Sequence, residues 1–163
     1  MNITKGEDIL TLVGTERNVG EKAPDFTLNN LEDQAISLGQ LLTKPVLLNI
    51  VPDIDTRVCS IQTKRFNQEA ASIEGAAFVT ISKNTKEEQA NWCAAEGVDM
   101  EMLHDTEFTF GRNYGLLIES LGLLARSVFV LDKDGTIVYR EIVAELTDEP
   151  DYNAALTELR KLV

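Results

Sequence analysis

Two cysteines, Cys59 and Cys93, are the side chains of this sequence best suited to nucleophilic or redox chemistry. Cys59 closes the spacing Pro52-x-x-x-Thr56-x-x-Cys59, and the residues after Pro52 have the periodicity of a helix that begins close to Cys59. The first turn of a helix carries unpaired N–H groups and the positive end of the helix dipole, which favour a negatively charged sulfur. Because the thiolate is the nucleophilic form of cysteine, this position predicts a reactive Cys59.

Each of these residues also has a purely structural interpretation. Cys59 could be a small buried apolar side chain, Thr56 an ordinary helix N-cap and Pro52 a strand terminator. Cys93 could be an inert thiol on the packed face of a second helix. The wide separation of the two cysteines is not the Cys-x-x-Cys spacing of redox or zinc motifs. A bond between them is therefore expected to be transient and catalytic rather than structural.

The elements that must position the cysteines follow from apolar runs, caps and turn residues. Pro45–Val51 predicts a buried central strand, Ala77–Ser82 a second strand, and Lys86–Glu96 a helix that ends at Gly97. Strand, helix, strand, helix in this order predicts a parallel βαβ core, and the whole an α/β fold with a mixed central sheet flanked by helices. The remaining expected elements are an N-terminal hairpin region built from residues 9–13, 25–28 and 35–38, two strands at 127–131 and 136–143 around an Asp-Gly turn, and a closing helix at 151–162.

Composition limits the classes of partner. The chain has 163 residues, 44% of them hydrophobic, and a formal net charge of -12, which predicts a single domain over residues 1–163. The negative charge repels phosphate backbones and anionic headgroups, so neither a nucleic-acid nor a membrane partner is expected. The N-terminal segment lacks a secretory signal pattern, and no apolar run approaches the ~20 residues that span a bilayer. We therefore expect a cytoplasmic protein.

Other chemistry-bearing residues do not form a pattern. His104 is the only histidine, and with scattered acids around it we expect a structural residue and no metal site. A Cys59–His104 pair of the cysteine-protease type lacks the local signatures of those families. The glycines between 111 and 122 are expected to be loop or close-packing residues because no phosphate-binding glycine motif is present, and we predict no cofactor. The acidic run from Glu145 to Asp151 is interpreted as a solvated loop.

The chain resembles the peroxiredoxins in the Pro52-Thr56-Cys59 spacing and in several longer segments. Within that family it is similar to the thiol peroxidase group, the atypical two-cysteine type, from about Gly20 to the C-terminus. The segments are Val51-Pro-Asp-Ile-Asp-Thr-Arg-Val-Cys59, Gln62-Thr63-Lys-Arg-Phe66-Asn67, Trp92-Cys93-Ala-Ala-Glu-Gly97, Phe110-Gly-Arg-Asn-Tyr-Gly115 and Leu123-Leu-Ala-Arg126-Ser-Val-Phe-Val-Leu131.

The resemblance implies a thioredoxin-like fold with an N-terminal β-hairpin, a homodimer and thioredoxin as the reductant. It makes Cys59 the peroxidatic cysteine, oxidised to a sulfenic acid by the peroxide substrate, and Cys93 the resolving cysteine of the same chain. Thr56 and the backbone amide of Cys59 would orient the peroxide oxygens, and Pro52 would shield the thiolate. Arg126 would stabilise charge on the leaving oxygen; without the resemblance it would be interpreted as a surface or ion-pair arginine.

The chain departs from this group at two places. Residues 83–91 read Lys-Asn-Thr-Lys-Glu-Glu-Gln-Ala-Asn, where the group usually has Asp-Leu-Pro-Phe-Ala and a basic residue before the aromatic-Cys pair. The helix carrying Cys93 could therefore start or move differently. Arg57 stands where Pro or Gly is common, and it either adds positive charge beside Cys59 or points into solvent.

Two further interpretations stay open at this point. The chain could be a thioredoxin-fold binding or redox-sensing module without efficient turnover, or a one-cysteine peroxidase in which Cys93 is idle. Because Cys59 and Cys93 fall on separate helices, a disulfide between them requires movement of the Cys59 turn and of the Lys86–Gly97 helix.

Overall fold

The computed structural model describes all residues, 1–163, which form eleven strands, five helices and the loops between them. The strands are β1 (Asn2–Lys5), β2 (Asp8–Thr11), β3 (Thr27–Asn29), β4 (Ala35–Ser37), β5 (Val46–Ile50), β6 (Ala77–Ser82), β7 (Glu101–His104), β8 (Leu117–Ile118), β9 (Leu123–Leu124), β10 (Ser127–Leu131) and β11 (Ile137–Ile142). The helices are α1 (Leu38–Leu41), α2 (Arg57–Ala70), α3 (Lys86–Glu96), α4 (Thr109–Asn113) and α5 (Tyr152–Arg160). None of the helices is both long and apolar enough to cross a membrane.

The main sheet has seven strands in the order β11-β10-β5-β6-β7-β3-β4. The pairs β5–β6 and β6–β7 are parallel and the other pairs are antiparallel, which confirms the predicted βαβ core and the mixed sheet. Helix α2 connects β5 to β6, and α3 connects β6 to β7. Both cysteine-bearing helices therefore follow the carboxyl ends of adjacent parallel strands.

Strand β5 is buried along its whole length because both faces of the sheet are covered. Val46, Leu48 and Ile50 belong to one apolar cluster, together with residues of the N-terminal hairpin and α4. Leu47 points into the opposite cluster, where α2 supplies Phe66 and α5 supplies Leu156 and Leu159. A continuous apolar run is the pattern expected of a strand covered on both faces.

Periodicity predicted most of the long elements correctly. Strands β6 and β10 and helix α3 have the predicted bounds, and α3 ends at Gly97 in the left-handed conformation (φ 68°) that glycine adopts without steric cost. Helix α4 and the β8–β9 hairpin were not expected. Gly115 also has a positive φ of 69°, and a Cβ there would lie 2.8 Å from the backbone nitrogen of Glu16, so close packing is confirmed for this glycine.

The N-terminal hairpin is present, and its strand β2 overlaps the predicted segment 9–13, but β2 pairs with β1, which was not predicted. The segments expected at 25–28 and 35–38 instead form the β3–β4 pair at the edge of the main sheet. Hydrogen bonds from Thr4 N to Ala144 O and from Leu146 N to Thr4 O, each 2.8 Å, attach β1 to the chain after β11. Short exposed strands such as β1 depend on this tertiary contact and have little signal of their own.

Candidate active site

Cys59 is the third residue of α2, and its side chain is 1% exposed. The first backbone bond of the helix runs from Ser60 N to Thr56 O (2.8 Å), and the N–H of Cys59 has no acceptor in the chain. A free N–H and the positive end of the helix dipole thus lie beside the sulfur. This is the position that the sequence predicted for Cys59.

Thr56 occupies the N-cap position of α2, but its side chain does not cap the helix. The hydroxyl donates to the carbonyl oxygen of Asp53 (2.8 Å), which leaves the lone pairs of the hydroxyl oxygen available. In α3, by contrast, Thr85 accepts from Glu88 N and completes a capping box. The N-cap interpretation of Thr56 is therefore wrong for its side chain, and the N–H groups of the first turn of α2 stay free.

The loop between β5 and Thr56 is held by Asn84, a buried residue in the segment that departs from the family pattern. Asn84 Oδ1 accepts from Ile54 N (2.8 Å), and Asn84 Nδ2 donates to Asp53 Oδ1 (3.0 Å). Pro52 is buried in the same loop. The departing segment thus contributes directly to the shape of the loop that precedes Cys59.

Arg126 lies against the sulfur of Cys59, although 67 residues separate them in sequence. Its Nη1 is 3.3 Å from Cys59 Sγ and donates to Gln62 Oε1 (3.1 Å), while Nε donates to Leu146 O (2.9 Å). The side chain is 3% exposed and forms no ion pair with a carboxylate, so the interpretation as a surface or ion-pair arginine is wrong. A buried guanidinium without a carboxylate is costly, and a thiolate at Cys59 would offset that cost.

Gln62 and the carbonyl of Leu146 complete the environment of Arg126 and were not expected from the sequence. Gln62 follows Cys59 by three positions, which places both on one face of α2, so helical spacing could have revealed it. Leu146 contributes only a backbone oxygen, which has no sequence signature. It lies within the acidic run interpreted as a solvated loop, and that interpretation is wrong for this residue, which is buried.

A cavity of about 670 Å³ opens on this cluster. Pro52, Thr56 and Arg126 line it, and Cys59, which is buried and contacts Arg126, is not among the lining residues. Both apolar and cationic side chains line the cavity. One of the cationic side chains is Arg57, which is exposed. The complete lining is Lys5, Pro52, Asp53, Thr56, Arg57, Val58, Leu123, Arg126, Leu146 and Thr147. The structure therefore brings together four of the five predicted site residues, with Cys93 on a different helix.

Comparison with known proteins shows the family of the chain. A model of the AhpC/TSA family matches residues 19–140. The chain belongs to the AhpC/TSA family. Relatives in this family include a protein named thiol peroxidase from Listeria innocua, 43% identical over 98% of both chains. Another, also named thiol peroxidase, comes from Bacillus subtilis and is 45% identical over 94% of this chain and 93% of its own.

Solved structures show the same fold. A peroxiredoxin-like protein from Aquifex aeolicus superposes with a TM-score of 0.93 and 30% identity, over 99% of this chain and 97% of that chain. A thiol peroxidase from Chromobacterium violaceum has a TM-score of 0.89 over 99% of this chain and 96% of that chain, at 18% identity. The predicted thioredoxin-like peroxiredoxin fold is thereby confirmed for this member of the AhpC/TSA family.

Cys93 is a partly exposed free thiol on α3, and Cys59 is also unbonded. Trp92, which precedes it, packs with Cys59 in a small apolar cluster that Cys93 itself borders. Burial, and to a lesser extent the negative charge of Asp99, raises the pKa of the Cys93 thiol. Cys93 therefore stays protonated at neutral pH, and the AhpC/TSA site has one sulfur beside a cation and one that is not activated.

His104 has no contact with the Cys59 site. It ends β7 and lines a separate cavity of about 280 Å³ with Asp105 and Glu107. No group of three or more His, Cys, Asp or Glu side chains is arranged to hold a metal ion.

Proposed function

We propose that this AhpC/TSA chain is a thiol peroxidase that reduces hydrogen peroxide and organic hydroperoxides through Cys59. The observation that carries the proposal is the 3.3 Å contact between Arg126 Nη1 and Cys59 Sγ, made without any carboxylate on the guanidinium. The names and near full-length identity of the relatives support the same activity.

The first step is attack of the Cys59 thiolate on the terminal peroxide oxygen. The S–O bond forms as the O–O bond breaks, and the departing oxygen leaves as water or an alcohol after it takes up a proton. Charge accumulates on that departing oxygen, and in this proposal the guanidinium of Arg126 and the free N–H of Cys59 stabilise it. The lone pairs on the Thr56 hydroxyl can accept a hydrogen bond from the peroxide O–H. Cys59 is left as a sulfenic acid.

The second step is disulfide formation with Cys93. The Cys93 sulfur, after it loses its proton, attacks the Cys59 sulfur; the S–S bond forms, and the hydroxyl group leaves as water. Reduced thioredoxin then transfers two electrons to the disulfide and restores both thiols. We further propose that the chain works as a single-domain homodimer in the cytoplasm, whose reducing conditions match this cycle.

The test is the intact mass of the reduced protein after one equivalent of hydrogen peroxide, followed by peptide mapping without reductant. Loss of two hydrogens with a linked Cys59–Cys93 peptide is expected. A gain of oxygen at Cys59 alone would indicate a one-cysteine peroxidase or a sensor, and an unchanged mass would exclude the peroxidase.

Two variants separate these outcomes. Cys59→Ser should abolish peroxide consumption. Cys93→Ser should still consume one equivalent of peroxide at Cys59 but lose turnover supported by thioredoxin. Unimpaired turnover in Cys93→Ser would show that an external thiol resolves the sulfenic acid.

A further inference from the structure

Behind Arg126, buried polar side chains form a continuous chain of hydrogen bonds across the core. Arg126 Nη1 donates to Gln62 Oε1 (3.1 Å), and Gln62 Nε2 donates to Asn49 Oδ1 (2.6 Å). Asn49 Nδ2 then donates to Thr80 Oγ1 (3.0 Å), whose hydroxyl donates to Met100 Sδ (3.2 Å). Gln62, Asn49 and Thr80 are fully buried, so water does not compete for these bonds.

The chemistry of the two ends sets the direction of every bond in this chain. A guanidinium can only donate, so Gln62 must present its oxygen to Arg126 and its nitrogen to Asn49. A thioether can only accept, so the Thr80 hydroxyl must donate to Met100 and accept from Asn49. Both requirements give the same orientation to the Asn49 amide, with its oxygen toward Gln62.

Asn49 is the centre of this arrangement and the only polar residue in β5. It lies opposite Thr80 in the parallel β5–β6 pair, and its Nδ2 makes a second bond to Thr63 Oγ1 of α2 (3.1 Å). Three hydrogen bonds to β6 and α2 therefore fix the position of its oxygen. A polar residue in a strand buried on both faces weakens apolar packing, so its presence needs another explanation.

We propose that Asn49 is a positioning residue for peroxide reduction. Its side-chain oxygen holds the Gln62 amide so that Gln62 Oε1 keeps Arg126 Nη1 against the Cys59 sulfur. The inference rests on the proposed peroxidase function, and it assigns a role in that reaction to a residue that does not touch the sulfur.

The test is Asn49→Leu, which has a similar size and lacks the acceptor. Gln62 Nε2 would lose its 2.6 Å partner, and the side chain could turn toward the carbonyl of Ile50, now 3.4 Å away. Arg126 would then lose an acceptor in a charge-assisted bond. We expect the second-order rate constant for oxidation of Cys59 by hydrogen peroxide to fall at least about tenfold. The rate is measured in single turnovers on a Cys93→Ser background, where Cys59 is the only thiol.

Two matched variants separate positioning from general stability. Thr80→Val removes the acceptor of one Asn49 N–H, but the bond to Thr63 still orients the amide. It should lose a similar amount of stability in urea and keep the rate within about threefold. Asn49→Asp keeps an oxygen that can accept from Gln62 and should also stay within about threefold.

A second measurement keeps this inference separate from the proposed function. Ultraviolet thiolate absorbance against pH should show Cys59 ionising at higher pH in Asn49→Leu than in Thr80→Val. If the unmodified protein failed to react with peroxide, the proposed function would be wrong, and this titration would still decide whether Asn49 holds Arg126 against the Cys59 sulfur.

The proposal is overturned if Asn49→Leu keeps the parent rate and titration, or if Thr80→Val loses as much of the rate as Asn49→Leu does. A loss in Asn49→Asp equal to that in Asn49→Leu would also overturn it. Should Asn49→Leu fail to fold, Asn49→Ala replaces it with the same expected loss.

Discussion

Arg126 combines three hydrogen-bonding roles that a lysine could not combine. Its Nε reaches the Leu146 carbonyl while Nη1 contacts both Gln62 and the Cys59 sulfur. A lysine keeps the charge but has a single nitrogen on a flexible stem. Arg126→Lys should therefore lower the rate of Cys59 oxidation by peroxide about 100-fold in stopped-flow measurements. Arg112→Lys, at an exposed arginine of α4, is the control and should leave the rate unchanged.

The two N-cap threonines of this protein allow capping and catalysis to be compared directly. Thr85→Val removes the cap of α3 and should cost about 1 kcal/mol of unfolding free energy, with no change in Cys59 oxidation. Thr56→Val removes a hydroxyl that caps nothing and should lower the oxidation rate about tenfold. Urea unfolding and single-turnover kinetics on both variants check the comparison. A rate loss in Thr85→Val instead would contradict the assignment.

At the scale of elements, α3 is attached to the rest of the fold by few buried side chains. Only Gln89 and Trp92 are buried in this helix, and the Oε1 of Gln89 has no hydrogen-bond partner. Helix α2 buries four residues. An unpaired buried oxygen weakens the docking of α3, which supports the prediction that this helix moves when the cysteines join.

Hydrogen exchange should detect this difference. Backbone amides of α3 are expected to exchange faster than those of α2 beyond its first turn, and faster still after one equivalent of peroxide. In Cys93→Ser the peroxide-induced increase should disappear because no disulfide can form. Equal protection of α2 and α3 before and after oxidation would show that α3 is not the mobile element.

The carboxylate of Glu145 binds the N-terminal hairpin beside the active site. Glu145 accepts hydrogen bonds from the Thr147 hydroxyl (2.6 Å) and backbone N (3.0 Å), from the Thr4 hydroxyl (2.9 Å) and from Gly6 N (3.0 Å). These bonds, those from Thr147 foremost, lower the pKa of Glu145 from 4.5 to about 2. Glu145 precedes Leu146, whose carbonyl holds Arg126.

The pH dependence of stability follows from this lowered pKa. The contribution of the Glu145 carboxylate is complete above pH 4.5 and is lost as the pH falls toward about 2. Glu145→Gln should therefore be less stable than the parent at neutral pH, and the difference in urea midpoints should shrink through that range. Glu119→Gln, at an exposed glutamate outside this cluster, should show no such convergence.

At the scale of the whole molecule, net charge governs association. Each protomer of the proposed homodimer carries a formal charge of -12, and like charges repel most strongly where salt is scarce. The dissociation constant should therefore decrease as salt rises from about 0.02 M to about 0.5 M, as measured by sedimentation. A dimer that weakens with salt would indicate an interface built on opposite charges instead.

How much could be predicted from sequence depended on the range of the interactions. Strands β5, β6 and β10 and helix α3 follow from local apolar runs and caps, so their bounds were predictable. Strand β1 and helix α4 are short and depend on distant contacts, such as Thr4 with Glu145. In the candidate active site, Cys59 and Thr56 were predicted from the Pro-x-x-x-Thr-x-x-Cys spacing within a single segment of the sequence.

The hydrogen-bond partners of Arg126 could be identified only from the three-dimensional structure. Gln62 and Arg126 meet only because β5, α2 and β10 pack together, and Arg126 itself was identified through family resemblance. Asn49 interrupts the apolar run of β5, which is visible in the sequence, but the direction of its hydrogen bonds depends on three side chains of two other elements, α2 and β6. Packing of distant elements, rather than local propensity, determined these contacts.

The chain has a single tryptophan, and Trp92 is 4% exposed in the apolar cluster that also contains Cys59. Indole emission depends on the polarity and the quenching groups around the ring, so this protein carries its own optical reporter next to the reacting sulfur. Oxidation of Cys59, and then displacement of α3, should each change the emission. Each step of a single turnover can thus be followed in the unlabelled protein, with no second tryptophan to obscure the signal.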